Sequence, residues 1–71
     1  MTPSDQARCA AYRALLEEYG KPSDKAGFSR QLDYILALGY IMECKPDFAR
    51  YHLVHAGVPQ DLVLATDALV A

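Results

Sequence analysis

The sequence predicts an all-α fold, a compact bundle of about four short helices in one domain spanning residues 1–71. Three observations carry this expectation. Apolar residues recur at three- and four-residue spacing along most of the chain. Gly and Pro punctuate it at Gly20–Pro22, Pro46 and Gly57–Pro59, which cuts it into helix-length pieces. No stretch alternates apolar and polar residues for long enough to make a strand.

The first helix is expected to begin near Ser4, a good N-cap, and to end before Gly20. Tyr12, Leu15, Leu16 and Tyr19 share its apolar face, with Cys9 at the edge. Gly20-Lys21-Pro22-Ser23 reads as a loop, because Gly stops the helix and Pro22 prevents its continuation. Ser23 could cap the second helix, or Ser29 a shorter version; a run from about Asp24 to Met42 is favoured, with Gly27 and Gly39 as weak points. Phe28, Leu32, Ile35, Leu36, Gly39 and Met42 form its widest stripe and are the expected core face. The third helix opens with Pro46 at its first position and closes at Gly57. The fourth runs from Pro59 towards the C-terminus and is apolar nearly all round: from Leu62 to Ala71 only Thr66 and Asp67 are polar. A Gly-Val-Pro turn, helix-turn-helix-like, joins these last two helices.

Composition narrows the function classes. The net charge is −2, and all seven Lys and Arg lie within residues 1–50. The C-terminal third therefore offers no cation to a phosphate backbone, which disfavours nucleic acid as a partner there. A nucleic-acid binder would need Arg8, Arg13, Lys21, Lys25 and Arg30 to line one face. The longest apolar runs fall short of the ~20 residues that cross a bilayer, so no membrane role is expected. There is no basic-then-apolar leader, and the two cysteines, Cys9 and Cys44, are too few for a disulfide framework. A cytoplasmic protein with reduced thiols is the expectation.

The chemistry-bearing residues are sparse. His52 and His55 lie three apart on the third helix, near Cys44 and Asp47 in sequence. The paired Cys-x-x-Cys or His-Glu-x-x-His spacing of zinc sites is absent, so the histidines are read as the margin of an aromatic cluster with Phe48 and Tyr51. Cys44 beside either histidine lacks the third, orienting group of a nucleophile site. No catalytic residue, metal or cofactor is assigned, and no enzymatic activity is expected.

Residues 53–63 resemble the turn of the DNA-binding helix-turn-helix family, with Ala56, Gly57, Val58 and Val63 matching its small, glycine and apolar positions. The resemblance implies a fourth helix placed to read DNA. The chain departs from the pattern at Leu53, where the family has a small residue, and at His52 and Thr66, where it has apolar ones. The would-be recognition helix carries two acids and no base. Base edges and phosphates are read mainly by Arg, Lys, Asn and Gln.

A small protein-binding module remains the leading expectation. It would serve as an adaptor or an inhibitor of a larger protein machine, the kind of product phages and mobile elements encode. Tyr34 and Ile41, one heptad apart, fall outside the expected core stripe with Ala37 and Leu38 beside them. Leu64 stands on the side of the fourth helix where a solvated helix would carry a charge. These five residues are the expected partner surface. The alternatives are a helix-turn-helix-like nucleic-acid binder and a self-assembling subunit, with the fourth helix as the seam of a homodimer.

Overall fold

The computed structural model describes residues 2–70 and contains helices α1 (Pro3–Leu15), α2 (Phe28–Met42), α3 (Pro46–His55) and α4 (Gln60–Val70). No strand occurs among the described residues. A wide π-type turn, Leu16–Gly20, extends α1. The Cα radius of gyration is 11.3 Å. No helix among the described residues is long and apolar enough to cross a membrane.

Each helix end has a local cause. α1 is capped by Thr2 rather than Ser4: the Thr2 hydroxyl accepts the Asp5 amide at 3.1 Å, and Pro3 fills the first helical position, where no amide hydrogen is needed. Ser4 instead donates to the Val70 carbonyl at 3.1 Å, which ties the start of α1 to the end of α4. α2 begins at Phe28, four residues later than the sequence suggests. Gly27 is extended, and Ser23–Ala26 close a separate turn through the Ala26 amide and the Ser23 carbonyl at 3.0 Å.

α2 and α3 end in the same way. In α2 the Lys45 amide reaches the Tyr40 carbonyl at 2.9 Å and the Cys44 amide reaches that of Ile41 at 3.0 Å. In α3 the Val58 amide reaches Leu53 and the Gly57 amide reaches Val54, both at 3.1 Å. These are paired Schellman closures, which place one left-handed residue just past each helix. Gly57 takes that place at φ +106° after α3, and Cys44 takes it at φ 57° after α2. Gly57→Ala is expected to lower stability by about 1–2 kcal/mol, because a Cβ is strained at that φ. It would also meet the Arg30 guanidinium at 2.7 Å. Urea titration of the two proteins checks this.

The core joins Cys9, Tyr12 and Leu16 from the first helical segment to Ala37 and Ile41 of α2, Ala49 and Leu53 of α3, Val58 of the turn and Val63 of α4. α2 packs mainly on α3. One expectation is reversed. Of the stripe read as core, Phe28, Leu32, Ile35 and Met42 point outward while Leu36 and Gly39 are half-buried, and the flank read as spare points in. Ala37 is fully enclosed on a helix that packs mainly on α3, and Tyr34 and Tyr40 lie half-buried against the same core.

Candidate functional site

The outward face of α2 leaves a row of apolar side chains uncovered. Phe28 is 80 % exposed, Ile35 61 % and Met42 72 %, with Leu32 between them. Phe28, Leu32, Ile35, Gly39 and Met42 follow steps of four, three, four and three residues, so they form one seam along the helix. Contiguous apolar surface of this kind marks interaction sites in small domains.

Gly39 sits in the middle of that seam. A glycine inside a helix is less favourable than alanine by about 1 kcal/mol. Nothing in the chain explains its presence: a Cβ at Gly39 would meet no atom within 4 Å, and its φ is not in the left-handed range. Beside it lies a shallow concavity of about 320 Å3, lined by Ile35, Leu36, Tyr40 and Glu43.

The five residues expected to contact a partner are not brought together. Ala37 is fully buried and Ile41 is 6 % exposed, both within the core. Tyr34 and Leu38 are half-buried against the same cluster. Ala37 and Ile41 therefore offer no free surface, and Tyr34 and Leu38 offer only part of theirs. Leu64 is exposed as expected. It lines a groove of about 430 Å3 between α3 and α4, with Arg50, Tyr51, Val54, His55 and Gln60 among its walls.

A polar cluster ties α1, α3 and α4 together around Asp67. Tyr12 donates its hydroxyl to Asp67, Arg8 donates from Nε at 3.3 Å, and Arg50 donates from Nη1 at 3.1 Å. Arg8 also donates from Nη2 to the Tyr12 hydroxyl at 3.0 Å and to Asp47 at 3.1 Å. Burial alone would raise the Asp67 carboxyl. The hydrogen bonds from Tyr12 and Arg50 and the two guanidinium charges outweigh it and hold the group below its ordinary value. Burial first, then the bond to Asp67, pushes the Tyr12 phenol up to about 12. Asp67 is the one charge within the apolar run of the last helix, and that isolation was the available signal for a charged partner inside the fold.

The histidines belong to an aromatic ladder. Phe48 stacks on Tyr40, Tyr40 on His52, and Tyr51 meets His52 edge-on and His55 in a stack, with centroids 4.2–5.6 Å apart. Nδ1 of His52 donates to Asp33 at 3.0 Å, and Nδ1 of His55 donates to the Tyr51 carbonyl at 2.8 Å. Among the described residues no three His, Cys, Asp or Glu side chains converge on a point that an ion could occupy. Cys9 is buried, and its thiol is pushed up by that burial and by its hydrogen bond with Cys44, which disarms it as a nucleophile.

Three of the cations that a nucleic-acid binder would need on one face are already engaged. Arg8 is bound to two carboxylates, Arg13 pairs with Glu17 at 3.6 Å, and the Arg30 guanidinium lies over Gly57. Compared with protein-family models, curated proteins and solved structures, the chain finds no match. A functional reading therefore rests on geometry.

Proposed function

We propose that this chain is a non-catalytic protein–protein interaction module that docks an apolar helix of its partner on the outward face of α2. The observation that carries the reading is the uncovered seam of Phe28, Leu32, Ile35 and Met42 on a helix whose opposite face is core. Burying one such side chain is favourable by roughly 1.5–3 kcal/mol, so four left in water are a store of binding free energy. The glycine between them adds a seat that the fold itself does not use. An adaptor or an inhibitor of a larger assembly is the role that suits a domain whose distinguishing surface is a docking face.

The polar groups support the same choice. Arg8 and Arg50 are engaged by Asp67, which leaves them poorly placed to bind phosphates. The histidines are held by Asp33 and by a backbone carbonyl, away from either cysteine. Two free thiols fit a reducing compartment, so the proposed location is the cytoplasm.

Ile35→Asp tests the reading. The position is exposed, so the variant is expected to fold with an unchanged helical circular-dichroism spectrum. In a nuclease-treated capture from source-cell lysate, proteins retained by the wild type are expected to be lost with Ile35→Asp. Equal retention by both would refute docking through α2.

A further inference from the structure

We infer that the helix docked on α2 is α2 of a second copy of this chain, laid antiparallel across a twofold axis; the inference rests on the reading of this face as a docking surface. The first reason is that the seam is complementary to itself. Turned antiparallel, with the axis between positions 33 and 34, Phe28 of one copy falls opposite the partner's Gly39, and Leu32 falls opposite the partner's Ile35. The largest side chain thus meets the position with none, and the twofold repeats the match. The concavity of about 320 Å3 beside Gly39 is where that ring would be seated.

The helix dipoles favour the antiparallel arrangement. A helix the length of α2 spans only about 22 Å. The contact therefore lies at the small end of stable interfaces, and a reversible, concentration-dependent dimer is expected. α4 also exposes Leu64 and Leu69, but it offers no vacant glycine seat to match a large side chain.

Sedimentation equilibrium at concentrations up to about 0.5 mM tests the pairing, a range that covers weak interfaces. The wild type is expected to pass from monomer to dimer. Gly39→Leu fills the seat and is expected to weaken the dimer by at least about tenfold, a change of roughly 1.4 kcal/mol. Its melting temperature in dilute solution should not fall, because the chain itself has room at Gly39. A wild type that stays monomeric at about 0.5 mM would overturn the second-copy inference. The docking reading would survive that result if Ile35→Asp still lost a captured protein, and both would fall if it did not. A dimer insensitive to Gly39→Leu but broken by Leu64→Asp would also overturn the inference and move self-association to α4.

Discussion

Asp67→Ala is expected to lower the melting temperature by roughly 10–20 °C, at about 4–8 °C per kcal/mol for a domain of this size. The substitution leaves the buried Tyr12 hydroxyl without its acceptor and sets two guanidinium groups side by side with one carboxylate fewer. Hydrogen bonds to charged groups contribute about 1.5–3 kcal/mol each, and they are not additive here because all meet at one carboxylate. A chain of this length has only about 4–10 kcal/mol of total stability, so a loss of 2–3 kcal/mol is severe. Tyr12→Phe keeps the ring and removes only the hydroxyl, so it should cost less.

The same contact gives a pH dependence of known sign. The folded-state value of Asp67 lies below its reference of 3.8. Its contribution is therefore complete well above that pH and is lost as pH falls through the folded value. The difference in melting temperature between wild type and Asp67→Asn is expected to be large near neutrality and to shrink towards about pH 3. An equal difference at both pH values would mean that the carboxylate charge contributes nothing.

Ala37→Glu is expected to unfold the domain, while Ile35→Glu, two residues away, is expected to leave it folded. Ala37 is completely enclosed, so a carboxylate there would be buried among apolar core side chains. An unpaired buried charge is penalised by several kcal/mol, which is comparable to the whole stability of the chain. Ile35 is largely in water, so a glutamate at that position is solvated. Circular dichroism and melting of the two variants check the contrast. The opposite pattern would return α2 to the orientation that its widest apolar stripe suggests.

That orientation marks where the sequence stopped being legible. The four helices, the Pro46 start and the Gly57 stop follow from punctuation and capping chemistry, and the fold bears them out. The direction of α2 does not follow. Two stripes compete on it: Phe28, Leu32, Ile35, Leu36, Gly39 and Met42 on one side, and Tyr34, Ala37, Leu38 and Ile41 on the other. Both have helical spacing, and the first has the larger side chains. Bulk chose wrongly because close packing is set by what fits: the small Ala37 is enclosed in the core, with Tyr34 and Tyr40 half-buried against it. Gly39 carried the missing clue. Read as a point of close approach inside the core, it marks a close approach that the chain does not make.

The Asp67 cluster was hidden for a different reason. Its members come from α1, α3 and α4; Arg8 and Tyr12 are four apart on α1, but no local spacing connects them to Arg50 or Asp67. Cys44 illustrates the same limit on a smaller scale. The Schellman closure needs a left-handed residue after α2, and a cysteine, an uncommon occupant, fills the place that Gly57 fills after α3.

The most direct measurement is a dilution series of amide proton–nitrogen spectra, from about 1 mM down to 20 µM, which spans weak dimerisation. Concentration-dependent shifts are expected to fall along Phe28–Met42 and to vanish in Ile35→Asp. Shifts centred on α4 around Leu64, or spectra unchanged across the series, would contradict docking of one α2 on another.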